Sequence, residues 1–152
     1  MDFRTALDTV TAELTPQPWE YTTPDGVTLT VIPAGLRAEA GMAEVYVRIT
    51  ASKTVAAEYP VTTTDLPALI GALGRPVTAE WTLVPRWPDG HRRYFTDGGL
   101  SLAPADGGLT VIVTDEDELS AAVRLPERER MPLVSALRRA LDVAQGWEDD
   151  AR

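Results

Sequence analysis

Arg86, Trp87, His91, Arg92, Arg93 and Tyr94 fall in one short stretch, Pro85-Arg86-Trp87-Pro88-Asp89-Gly90-His91-Arg92-Arg93-Tyr94-Phe95. A guanidinium is a planar fork that matches carboxylate or phosphate, and aromatic rings anchor protein interfaces or stack on bases. Such a set binds rather than reacts. It reads as a hairpin for a protein partner, or alternatively as a contact for nucleic acid. It also has a plain structural reading, in which Trp87, Tyr94 and Phe95 enter the core and the arginines pair with nearby acids.

Reactive groups are scarce elsewhere. The chain has no cysteine, so disulfides, thiolate nucleophiles and sulfur-ligated zinc are excluded. His91 is its only histidine, so no two-histidine metal site can form within one chain. Ser52, Ser101, Ser120 and Ser135 all lie outside a G-x-S-x-G elbow. The pairs Gly98-Gly99 and Gly107-Gly108 neither open a helix nor precede a lysine, unlike a phosphate-binding loop. Asp115-Glu116-Asp117-Glu118 is consecutive, so alternate side chains diverge, and a solvated turn is expected rather than a calcium loop. Glu148-Asp149-Asp150 reads as a charged tail. No catalytic residue, metal or cofactor is assigned, and a non-enzymatic protein is expected.

A net charge of −9, spread over both halves, repels nucleic acid and anionic membranes at long range. Nucleic-acid binding is therefore disfavoured, and a protein partner is expected. No apolar run reaches the roughly 18 residues that span a bilayer, and Met1-Asp2-Phe3-Arg4 lacks the basic flank and apolar run of a signal peptide. The chain is read as cytoplasmic. Lys53 is the sole lysine and asparagine is absent, a bias of arginine-rich, GC-rich coding.

The elements that must position these residues follow from periodicity. Phe3, Leu7, Val10 and Leu14 predict an amphipathic helix near 2–14, stopped at Thr15-Pro16. Trp19 to Thr23 and Val27 to Val31 predict a hairpin about Pro24-Asp25-Gly26. A loop over 34–42 leads to strands at 45–50 and 54–61. Thr64 or Asp65 then caps a helix carrying Pro67 in its first turn and ending at Gly74. The second half repeats the order, with strands at 78–84, 91–95, 100–103, 109–114 and 119–125. A last helix puts Val134, Leu137, Leu141 and Ala144 on one face.

The halves also resemble each other in sequence. Leu66-Pro67-Ala68-Leu69-Ile70-Gly71-Ala72-Leu73 lines up with Met131-Pro132-Leu133-Val134-Ser135-Ala136-Leu137-Arg138, which sets Ala56-Ala57 on Ala121-Ala122. Trp19 before Pro24-Asp25-Gly26 answers Trp81 before Pro88-Asp89-Gly90. The expected fold is α+β: a duplicated unit of about four antiparallel strands and a helix, with a pseudo-twofold between residues 1–74 and 75–152, packed as one globular unit. The expected function is that of a small acidic binding protein: a regulator, inhibitor or immunity-type partner. A ligand carrier or hydrolase with its pocket between the halves is the remaining alternative. Exposed sheet edges would also allow a homodimer.

Overall fold

Val45, Val47 and Ile49 alternate with Tyr46 and Arg48. In the computed structural model, which describes residues 18–34, 37–86 and 98–148, these three apolar side chains face inward from one strand. That strand, β3 (Glu44–Thr50), lies between β2 (Thr28–Pro33) and β4 (Ala56–Thr62). With β1 (Trp19–Thr22) it forms an antiparallel sheet of order β1-β2-β3-β4, followed by helix α1 (Leu66–Leu73). The second sheet has the same order, from β5 (Trp81–Thr82) through β6 (Gly99–Ala105) and β7 (Gly108–Thr114) to β8 (Ser120–Pro126). Helix α2 (Glu127–Gln145) closes the α+β fold.

The turns obey their residues. Gly26 takes φ +90° after Pro24-Asp25, and its N–H donates to Thr23 O at 2.9 Å, closing the β1–β2 hairpin. In the Asp115–Glu118 turn, Asp115 Oδ1 accepts from the N–H groups of Asp117 and Leu119 at 2.9 and 3.0 Å. That leaves the Asp115 carboxylate engaged in shaping the turn.

Several expectations are corrected. The strand expected over 78–84 reduces to Trp81–Thr82, with one further bond from Leu83 N–H to Leu100 O at 3.0 Å. Pro85, two residues on, has no N–H to continue it. Helix α2 begins at Glu127, well ahead of the apolar face expected from Val134 onward, because Pro126 in extended backbone passes directly from strand to helix. Glu127 and Glu129 suit that N-terminus by charge, and exposed Pro132 rides inside the helix. Asp65 stands at the N-cap of α1 but makes no capping bond. Its carboxylate is engaged elsewhere. The helix expected near 2–14 and the strand expected over 91–95 lie outside the described residues.

The two sheets correspond in register. Trp19 faces Val31 and Trp81 faces Leu102; Val31 faces Val47 and Leu102 faces Val111. Ala57 faces Ile49 as Ala121 faces Val113. The buried positions of α1, Leu66, Leu69, Ile70 and Leu73, correspond to Arg130, Leu133, Val134 and Leu137 of α2. Ala57 therefore matches Ala121, and Leu66 matches Arg130. The sequence alignment that set Leu66 on Met131 is one residue out of step. A one-residue slip would turn each strand's apolar set outward.

One core serves both halves. Strand β4 packs against β7 and β3 against β8, while α2 touches β2, β3, β7, β8 and α1. Leu29 and Val47 of the first sheet, Leu100, Leu102 and Val111 of the second, and Leu69, Leu73, Leu133 and Leu137 of the helices surround about 10 Å³ of space. That is room for one water at most.

Trp147 and Glu148, just past α2, lock this arrangement. Ala38 N–H donates to Trp147 O at 3.2 Å, and Glu148 Oε2 accepts from Ala43 N–H at 3.0 Å and Thr63 Oγ1–H at 2.5 Å. Bonds to a charged acceptor contribute about 1.5–3 kcal/mol each, less where water competes. Glu148→Ala should therefore lower stability by about 2 kcal/mol in chemical denaturation. Glu148→Gln, which keeps one acceptor, should lose about half as much.

Candidate protein-binding surface

The described residues capture one foot of the basic–aromatic stretch. Exposed Arg86 follows β5, and its N–H donates to Asp65 Oδ1 at 2.9 Å. Asp65 is only 2% exposed, so this bond anchors the stretch to the start of α1. The capping role expected of Asp65 is thus replaced by a tie between the halves. Trp87, His91, Arg92, Arg93 and Tyr94 lie outside the described residues.

A groove of about 470 Å³ opens where the first sheet's hairpin meets the second sheet. One wall is the β1–β2 turn with Tyr21, Thr23, Pro24, Asp25 and Val27. The other is the β6–β7 turn, five consecutive residues from Ala122 to Pro126, and Arg128. Val123 and Leu125 point into the core whereas Ala122 and Arg124 are exposed. The lining mixes inward and outward residues of β8 with the β6–β7 turn and Leu109, so the concavity lies at the Pro126 end of β8 and takes in its edge residues Ala122 and Arg124. Arg124 Nη2 donates to Asp106 O at 3.3 Å, and exposed Arg128 stands one step beyond in α2. Nothing in the sequence marked this groove, since Ala122 and Arg124 look like ordinary outward residues of an alternating strand.

A smaller cleft of about 230 Å³ lies farther along the same face of the first sheet, between Trp19, Val31 and Pro33 and the α2 residues Ala136, Arg139, Ala140 and Val143. Trp19 and Trp81 are half-buried and pack against the margin of the core. Burial, with the Glu44 and Glu58 carboxylates, raises the Tyr46 phenol above its ordinary 10.0, so it keeps its proton at neutral pH. Among the described residues, no group of three or more His, Cys, Asp or Glu could hold a metal ion. No helix among them is long and apolar enough to cross a membrane.

The arrangement offers backbone groups, two guanidiniums and apolar side chains along an open edge, which is the chemistry of binding an extended chain. No protein-family model matches this sequence, and no curated protein is similar to it.

Proposed function

We propose that this is a non-enzymatic binding protein, of the regulator, inhibitor or immunity type, that acts on another protein in the cytoplasm. The observation that carries this reading is the contrast between a closed centre and an open surface. The space where both sheets and both helices meet is about 10 Å³, whereas the groove along β8 is about 470 Å³ and open. A carrier or hydrolase with its pocket between the halves needs a deep cavity with convergent polar groups. The two groove acids, Asp25 and Asp106, instead sit exposed on separate turns. The matching registers of the two sheets support descent from one duplicated unit related by a pseudo-twofold. On that view the basic–aromatic stretch is an addition to one copy.

The test compares the full chain with the Arg92→Ala, Arg93→Ala double variant as baits for partner capture. The double variant should keep its thermal midpoint, since surface changes stay within about 0.5 kcal/mol, and should lose a partner that wild type retains. If both forms capture the same partner equally, the stretch is not the contact. Salt-sensitive retention of an oligonucleotide near 50 mM salt, weakened by the same substitutions, would instead assign it to nucleic acid.

A further inference from the structure

Edge strands carry unpaired N–H and C=O groups that can template another strand, and proteins usually blunt them. The two sheets treat their last strands differently. In the first sheet, Ala51 N–H to Val55 O at 2.9 Å and Thr63 N–H to Ala43 O at 2.9 Å close the two ends of the β3–β4 ladder. Their phase makes Ala57, Tyr59 and Val61 the bonded residues and turns the backbone of Ala56, Glu58 and Pro60 outward. Pro60 therefore removes a donor from the middle of that edge, and Glu58, paired with Arg48 at 2.6 Å, adds charge beside it. The edge of β4 is blunted.

In the second sheet, Asp115 N–H to Leu119 O at 2.9 Å and Glu127 N–H to Gly107 O at 2.8 Å set the same phase. Ala121, Val123 and Leu125 bond to β7, and Ser120, Ala122 and Arg124 turn outward. Arg124 is the counterpart of Pro60, and Ala122 of Glu58. β8 thus lacks the mid-strand proline; the charge on its edge is the Arg124 cation, and its outward proline, Pro126, stands only at the strand's end. Among the described residues nothing accepts from the N–H groups of Ala122 and Arg124. Ala122 and Arg124 both line the groove, which Tyr21 and Val27 line from the first sheet. Neither the Arg124 nor the Arg128 guanidinium meets a carboxylate among the described residues; the groove's two acids, Asp25 and Asp106, sit exposed on its turns.

We infer that the outer edge of β8 docks an extended, acidic segment of a partner protein as an added strand. This rests on the protein-binding reading above and names the kind of partner it takes. Main-chain bonds to Ala122 and Arg124 hold the segment at ladder spacing. Its apolar side chains meet Tyr21 and Val27, and its carboxylates meet Arg124 and Arg128, where charge-assisted bonds favour them. Pro126, with no N–H, ends the docking edge.

The probe is a dye-labelled peptide of about ten residues alternating valine and glutamate, titrated against the full chain by fluorescence anisotropy. Wild type should bind it saturably, and a valine–lysine peptide about tenfold more weakly or not at all. Arg124→Pro copies Pro60 onto β8 and should weaken the valine–glutamate peptide at least tenfold. Arg124→Glu, which keeps the N–H and reverses the charge, should do the same and stands in if the proline variant does not fold. Amide exchange at Ala122 and Arg124 of wild type should slow when the peptide is bound. Equal binding by wild type and both variants, or no saturable binding by wild type, overturns the inference. So does a wild-type dimer that Arg124→Pro dissolves, because the occupant is then a second copy. If the peptide fails while Arg92→Ala, Arg93→Ala still abolishes partner capture, the edge assignment falls and the protein-binding reading stands.

Discussion

Arg130→Ala should lower the stability of the protein by about 3 kcal/mol, seen as a thermal midpoint some 6–12 °C below wild type. Arg130 is 9% exposed on the inner face of α2. Its Nη1–H donates to Leu73 O at 2.7 Å, and its Nε–H donates to Glu127 Oε1 at 2.7 Å. Leu73 is the last residue of α1, where carbonyls have no partner within the helix. The guanidinium supplies that partner and joins the two helices. Truncation removes the donor and leaves a buried carbonyl without water or bond, at a cost of about 1–3 kcal/mol beyond the lost contact. Arg130→Met keeps much of the apolar stem and should recover only part of the loss. A midpoint unchanged in Arg130→Ala would mean that Leu73 O finds water, and that the helices are held by Leu133, Val134 and Leu137 alone.

Gly108→Ala should be at least as damaging, by about 3–4 kcal/mol, read as the midpoint of chemical denaturation. Gly108 faces Pro126 at the start of the β7–β8 ladder. A Cβ there would lie 2.0 Å from Leu125 O and 3.0 Å from Glu127 N, all backbone, so no side chain can give way. The two strands would have to part, breaking the Glu127 N–H to Gly107 O bond that starts α2. The preceding glycine makes a control. Gly107 has open space around it but φ +73°, so Gly107→Ala should cost only the strain of a left-handed alanine, about 1–2 kcal/mol. If Gly108→Ala were as mild as Gly107→Ala, the close approach of β7 and β8 would be wrong.

Periodicity made most of the sheet strands legible. Val45, Val47 and Ile49, and Leu109, Val111 and Val113, each bury one face of a sheet, and period two declares that directly. The start of α2 was not legible, because Pro126 ends a strand and opens a helix with no loop residues between. The likeness of the two halves was visible, but the pairing of Leu66-Pro67 with Met131-Pro132 misled by one position. Identity drew that match, whereas burial pairs Leu66 with Arg130. The slip mattered for the site: it set Pro60 against Leu125 and concealed that Arg124 takes the place of the proline blunting β4. An edge is also a property of sheet order, which no single strand reveals. The basic–aromatic stretch was conspicuous in sequence, yet only Arg86 falls among the described residues.

The long reach of Glu148 has a consequence for synthesis. Its bond to Ala43 spans 105 residues, and α2 covers strands made much earlier in the chain. At about 5–20 residues per second, the first sheet leaves the ribosome several seconds before its cover. During that wait Leu29, Val31 and Val47 lack their final neighbours. The nascent chain therefore stays open to aggregation or chaperone capture until α2 and Glu148 emerge and cover these strands.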